Sequence, residues 1–235
     1  MSTPRHVSRG WLGCDAERQV NIAVGLRGFG VVGSMGWQDY QGATTIGLVC
    51  KGGVVLASEK RVTWGNMLTS RGGMKVFKLN DRIGLAFAGL MSDMQALTRE
   101  VAAYASLYEL DNNRLIGVKA MGKLVANMLF QRRMFPLFME TLVGGIDEEG
   151  PMLLSMDPVG SLIPDPFITA GTGAPIAMGV LEAEYKEGMS MEAGAELALK
   201  AIKAAVARDI ASGDGVDMLL ITKDGTEERS ISLRK

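Results

Sequence analysis

The sequence predicts an α+β fold: a four-layer αββα sandwich, with two antiparallel sheets flanked by helix pairs. Strand-like and helical segments come in blocks, strands then two helices, twice over, with strands again at the end. Helices grouped in pairs suit antiparallel sheets with helices stacked outside, not alternating βαβ crossovers. Hairpin signals stand between the strands at Lys51-Gly52-Gly53, Asn80-Asp81 and Asp224-Gly225. The runs Val54-Val55-Leu56 and Met218-Leu219-Leu220-Ile221 are apolar on both faces, as strands covered from both sides should be.

Segments 44–50 and 54–59 read as strands, and 75–79 and 82–88 as a second pair. A helix follows. Ser92 and Gln95 have capping-box spacing, and Met94, Leu97, Val101, Tyr104, Ala105 and Tyr108 fall on one face. A second helix spans 117–134, with Met121, Leu124, Val125, Met128 and Leu129 inward and Phe135-Pro136 as its stop. Strands over 137–146 and 152–156 surround the turn-rich Asp147-Glu148-Glu149-Gly150. Helices are expected over 175–187 and 191–210, with Gly188 as a C-cap between them. Strands over 216–222 and 226–233 complete the order, and there is no internal repeat or low-complexity tract.

The chain has 235 residues, enough for one large domain with a real core or two small ones. Hydrophobic residues at 47% and charged residues at 22% fit a soluble globular protein. A net charge of −1 gives no footprint for nucleic acid or an anionic membrane. Lys60-Arg61 and Arg132-Arg133 are too short for basic patches and read as solvated strand or helix ends. With Cys14 and Cys50 the only cysteines and His6 the only histidine, a zinc site, a Ser-His-Asp triad and a Cys-His dyad are excluded. Cys50 ends an apolar run and reads as a buried free thiol. Low cysteine use is compatible with a reducing cytoplasm, the location expected here. Whatever chemistry the chain supports, its base is not histidine.

Residues 1–42 differ from the rest. The stretch 20–33 is apolar and glycine-rich, but Arg27 interrupts it. It is too short for a membrane span, and a central Arg does not suit a signal peptide. Residues 1–42 therefore read as a leader or arm, and 43–235 as the domain. Met35 offers a second start, which leaves a leader of 35–42.

Seven blocks then narrow the reading. They are Gly42-Ala43-Thr44-Thr45-Ile46-Gly47, Leu56-Ala57-Ser58-Glu59-Lys60-Arg61-Val62-Thr63 and Gly73-Met74-Lys75-Val76-Phe77, followed by Ala88-Gly89-Leu90-Met91-Ser92-Asp93 and Leu142-Val143-Gly144-Gly145-Ile146-Asp147, and lastly Gly171-Thr172-Gly173-Ala174-Pro175 and Arg208-Asp209-Ile210-Ala211-Ser212-Gly213. Each is weak alone. In this order and spacing, 43–235 resembles an archaeal-type 20S proteasome β subunit, of the N-terminal nucleophile hydrolase superfamily. The resemblance implies stacked seven-membered rings, with two β rings between two α rings. The partners it implies are α subunits, other β subunits, an ATP-driven regulatory cap acting through the α ring, and unfolded protein substrates. It implies threonine-type endopeptidase chemistry without a metal or organic cofactor. The helix pairs, apolar on more than one face, suit inter-ring packing and core burial equally. Another hydrolase of the same superfamily is the remoter reading, because fold alone does not separate them.

In that family the nucleophile is the hydroxyl of an N-terminal Thr. Its free α-amine, titrating near pH ~8, takes the proton. A buried Lys lowers the cost of the alkoxide, and an acid orients that Lys. The resemblance assigns the Lys to Lys75 and the acid to Glu59, where the family more often has Asp. It assigns Asp209 and Ser212 to the pair around the amine, Gly89 to the oxyanion-hole N–H, and Thr63 to a backbone contact with substrate. Thr172 reads either as a site group or as a loop hydroxyl. Plainer readings stand beside these: a surface pair for Glu59 and Lys75, a helix end for Asp209 and Ser212, a turn glycine for Gly89. Phe87 lies near the family's specificity pocket or in the core.

The departure is at the nucleophile. Counting back from Gly47, the family's Thr falls on Ala43, with Glu59 sixteen and Lys75 thirty-two residues later. Thr44 is one residue out of register and on a strand should face away from Lys75. Alanine has no oxygen, so it can neither attack a peptide carbonyl nor cut a leader after Gly42. Three accounts follow. The chain is a non-catalytic β subunit sharing a ring with an active one, as some archaea carry. Alternatively, a shifted cut frees Thr44 as an active nucleophile, turned towards Lys75 by a bulge. Or Ala43 is an engineered replacement of Thr, with the same chemistry as the first.

Overall fold

The computed structural model describes residues 42–234, so the expected leader lies outside the described residues except for Gly42. The chain begins with β1 (Thr45–Cys50), β2 (Gly53–Glu59), β3 (Val62–Trp64), β4 (Met67–Ser70), β5 (Val76–Lys78) and β6 (Ile83–Gly89). Helices α1 (Met91–Asn112) and α2 (Val118–Gln131) follow, then β7 (Met139–Asp147), β8 (Gly150–Met156), β9 (Ile163–Pro164) and β10 (Phe167–Ala170). Helices α3 (Ala174–Glu184) and α4 (Met191–Val206) lead to β11 (Gly215–Thr222) and β12 (Gly225–Ser232). Two five-stranded sheets result, ordered β10-β1-β2-β11-β12 and β5-β6-β7-β8-β9, with β3-β4 as a separate hairpin. No helix among the described residues is long and apolar enough to cross a membrane.

The layers follow from strand alternation. On β2, Val54 and Leu56 turn into the space between the sheets, where they meet Leu142, Leu153, Leu219 and Ile221. Val55 and Ala57 turn the other way, onto Leu181, Ala198 and Ile202 of the α3–α4 pair. That two-sided burial is why the strand carries no polar alternation. On the far sheet, Leu85, Phe87 and Val143 pack against Leu97, Val101, Met121 and Leu129 of α1 and α2. Small residues let the sheets close: a Cβ on Gly144 would lie 2.8 Å from Val54 and 2.9 Å from Leu56. The four layers are those the sequence predicts.

Several boundaries differ. Helix α1 starts at Met91 behind Leu90, with no side-chain cap, so Ser92 and Gln95 form no capping box. The competing interaction is Asp93, whose Oδ2 accepts the Phe138 N–H at 2.8 Å and ties the helix start to the approach to β7. Tyr104 is about half exposed, because Ala105 and not its neighbour keeps the inward spacing from Val101. Helix α2 ends at Gln131, where turn hydrogen bonds take over before Phe135-Pro136. The C-cap of α3 is Tyr185; Gly188, with φ +74°, turns the later connection instead. Helix α4 stops at Val206, and this leaves 207–210 free to turn and present Asp209. Strands β3, β4, β9 and β10 are too short, or too flanked by Pro and Gly, to show a period in sequence.

Leu56 is fully buried at the centre of the inter-sheet core. Leu56→Ala is expected to lower the unfolding free energy by about 2–5 kcal/mol in a denaturant titration of the isolated chain.

Candidate functional site

The two sheets meet chemically at the end of β2. Glu59 closes β2, its backbone N–H donating to Thr44 O at 3.2 Å, and Lys75 precedes β5, its carbonyl accepting the Phe87 N–H at 2.9 Å. Side chains from the two sheets thus converge: the Lys75 ammonium pairs with Glu59 Oε1. Lys75 Nζ also donates to the Arg61 carbonyl at 2.5 Å. Glu59 Oε2 accepts the Arg61 N–H at 2.6 Å and the Gly213 N–H at 2.8 Å. Both side chains are almost wholly buried. Burial, the largest influence, pushes the Glu59 carboxyl up, while the Lys75 charge and the N–H donors pull it back. Burial likewise pulls the Lys75 ammonium down from its ordinary value, against the opposing charges of Glu59 and then Asp209.

A second cluster surrounds the start of β1. Asp209 Oδ2 accepts from Ser212 Oγ at 2.6 Å and from Thr172 Oγ1 at 2.7 Å, and Oδ1 takes the Ala211 N–H at 3.1 Å. Thr44 Oγ1 lies 2.7 Å from Ser212 Oγ. A carboxylate only accepts, so the Ser212 proton is committed to Asp209, and Thr44 is the donor to Ser212. Thr172 Oγ1 receives the Ala43 N–H at 3.4 Å, and the Gly173 N–H donates to Ala43 O at 3.2 Å. Gly171 has φ +93°, and a Cβ there would overlap Ala43 O; a Cβ on Gly173 would overlap the Thr44 hydroxyl. The Ala43 methyl is buried and clusters with Ala88 and Ala170.

Gly89 ends β6 with φ +138°, and any Cβ there would strike Phe138 O. It borders a cavity of about 230 Å³ lined also by Arg61, Thr63, Trp64, Lys75 and Leu90. Gly42 reaches the same cavity, where a Cβ on it would come within 2.8 Å of Thr63 Oγ1. The residues singled out in sequence therefore fall into two groups. Lys75, Gly89 and Thr63 border the cavity, with Glu59 behind Lys75; Thr44, Ser212, Asp209 and Thr172 form a hydrogen-bonded chain that is not in its lining. Phe87 is in the core beneath α1 and α2, edge-on to Phe77 at 5.8 Å, and does not line the cavity. A larger groove of about 640 Å³ at the α1–α2 turn shares none of these residues. Among the described residues, no group of His, Cys, Asp and Glu side chains could hold a metal ion.

Two groups escape sequence reasoning because they act through the backbone. Arg61 gives its carbonyl to Lys75 and its N–H to Glu59, and Gly213 gives its N–H to Glu59. No residue type marks such a role. The Arg61 side chain is not simply solvated, as the sequence suggests: Nε donates to Asp214 Oδ2 at 2.9 Å and Nη1 to Ile210 O at 2.9 Å.

Residues 40–221 match the family model described as proteasome subunit. The chain is 48% identical over 190 residues to proteasome subunit beta 2 of Thermofilum pendens, which covers 81% of this chain and 93% of that one. It is 46% identical over 200 residues to proteasome subunit beta 2 of Pyrobaculum calidifontis, covering 85% and 98%. Similarity to proteasome subunit beta 1 of Nitrosopumilus maritimus is 44% over 187 residues, covering 80% and 94%.

Removing one partner of the buried pair isolates the other. Glu59→Gln is expected to cost about 3–5 kcal/mol near neutral pH, where Lys75 keeps its charge in the unfolded chain. The Lys75 pKa is depressed in the folded state, so that state binds fewer protons, and stability rises with pH up to the ordinary amine value of 10.5. In the variant the Glu59 charge that holds the Lys75 pKa up is gone, so that pKa falls further and stability rises more steeply with pH than in wild type. The deficit should therefore shrink as pH is raised towards 10.5, read by denaturant titration at several pH values. A deficit that grows with pH would contradict the pairing.

Proposed function

Because this chain belongs to the archaeal-type proteasome β-subunit family, we propose that it is a non-catalytic wall subunit of a 20S core particle. It shares its ring with a catalytic β subunit, and the particle degrades unfolded protein delivered through the α ring by an ATP-driven cap in the cytoplasm. Residues 1–42 stay attached as an uncut leader to the domain over 43–235. The observation that carries this reading is at the start of β1. Ala43 supplies only a buried methyl group at the place that the resemblance gives to the nucleophile, while the hydroxyl of the next residue, Thr44, donates to Ser212 and that of Thr172 donates to Asp209.

The remaining parts support a site that has lost its nucleophile and little else. The Lys75 ammonium and Gly89 border the cavity with the Glu59 carboxylate behind Lys75, and Asp209, Ser212 and Thr172 form one network beside the Ala43 N–H. A Thr hydroxyl at 43 would enter a site with a cation to stabilise its alkoxide and backbone donors for an oxyanion. The alternative, an active endopeptidase using Thr44 after a shifted cut, needs a bulge that turns this side chain through the sheet. The Glu59 N–H on Thr44 O continues the unshifted β1–β2 pairing that starts at Thr45↔Ser58, and the Thr44 hydroxyl lies on Ser212, which weighs against such a bulge.

Ala43→Thr tests the proposal as a gain of function. Co-assembled with its partner subunits, the variant is expected to cut itself after Gly42, and intact-mass measurement should show the loss of residues 1–42. The wild-type chain assembled in parallel should retain them. A variant that stays uncut in assembled particles would show that more than the nucleophile is missing.

A further inference from the structure

Asp214, the ion-pair partner of Arg61, also borders a basic pocket. This pocket, of about 340 Å³, is lined by Lys60, Arg71, Asp214, Ser230, Ser232 and Arg234. The Asp214 carboxylate is only 4% exposed and already takes Arg61 Nε–H at 2.9 Å. Arg71 reaches its other oxygen at 3.4 Å, and Arg234 lies 3.9 Å from that same oxygen. Lys60 is paired with Asp217 at 2.9 Å. Four cations thus face two carboxylates, and the surplus falls on Arg71 and Arg234, each more than half exposed at 54% and 55%. Among the described residues, neither of these guanidinium groups forms an ion pair with any other acid.

The strand leading into Arg71 is unusual in the opposite sense. Every residue of β4 is exposed, and the β3–β4 hairpin shows Trp64 at 56%, Met67 at 65% and Leu68 at 36% exposure. Exposed Trp and Met beside under-compensated Arg match the composition of protein interfaces, where Lys and acids are depleted. Two guanidinium groups offer forked donors suited to a carboxylate, which would also relieve their mutual repulsion.

We propose that Arg71 and Arg234 receive a carboxylate side chain from an adjacent subunit of the ring, seated beside the β3–β4 hairpin. The proposal rests on ring assembly but not on the silence of Ala43. Charge complementarity selects an acidic segment, and the neighbouring apolar hairpin selects a protein surface over a free anion.

A zero-length cross-link tests it. In assembled particles carrying Arg71→Lys, a water-soluble carbodiimide condenses the new amine with a touching carboxylate into an amide, with net loss of water. The expected product, read by peptide mass spectrometry, joins position 71 to an Asp or Glu of another subunit. In parallel, Arg71→Ala with Arg234→Ala should lower the assembled fraction severalfold while leaving the melting temperature of the isolated chain nearly unchanged. Assembled particles linked only to Asp214 or another acid of the same chain would overturn the proposal. So would assembly indifferent to the double substitution. A rise in melting temperature with inorganic phosphate that needs both arginines, without an inter-chain link, would reassign the pocket to a small anion and also overturn it. Failure of the wild-type chain to assemble at all would overturn the ring reading, and this proposal with it.

Discussion

The two-residue side-chain period at the start of β1 governs everything around it. Thr45 faces inward between the sheets, its hydroxyl on Phe87 O and Ser58 Oγ, each at 2.7 Å. Ala43 shares that face and packs on Ala88 and Ala170. Thr44 must face the other way, and it does so onto Ser212. A slip of one residue would bring a hydroxyl to the inward face at position 43, but it would also expel Thr45 from its buried bonds and move Ile46 and Leu48 off the α3–α4 core. The helix-facing core therefore holds the register, and the register decides which side chain stands at position 43 on the face between the sheets.

The Glu59–Lys75 pair has a structural reason to persist whatever stands at position 43. Glu59 belongs to one sheet, and Lys75 leads into the edge strand of the other. Their contact bridges the layers at the end where the inter-sheet core opens into a cavity. Burial works against both charges, and four backbone or side-chain partners offset it: each other, the Arg61 peptide groups and the Gly213 N–H. Loss of either residue would leave the other charge buried without its partner, a larger penalty than the pair's net worth. The retained pair is thus compatible with a silent subunit, and its presence does not by itself argue for catalysis.

Much of this was legible in sequence because the signals were local and periodic. The two-sided apolar runs at 54–56 and 218–221 located the buried strands, and glycine turns located the hairpins. Strand alternation puts Thr44 on the face opposite Thr45, and its hydroxyl lies on Ser212; the nucleophile's place at Ala43 comes from the resemblance alone. What escaped depended on contacts distant in sequence. The end of α4 at Val206 reflects Asp209 turning back to cap the Ala211 N–H, which helical periodicity does not encode. The exit of Tyr104 from the core, the use of Asp93 to anchor Phe138, and the Arg61 carbonyl on Lys75 are equally non-local. Strands of two to four residues such as β9 and β10 exist through their neighbours and leave no period of their own.

Ala43 puts a methyl group, with no hydroxyl, at the place that the resemblance gives to the nucleophile. The most direct measurement exposes assembled wild-type particles to a covalent inhibitor directed at catalytic Thr, then records the intact mass of each subunit. On the proposed reading, the catalytic partner gains the mass of the inhibitor while this chain keeps its unmodified mass with the Gly42–Ala43 bond intact. A mature N-terminus at Thr44 carrying the inhibitor would contradict it.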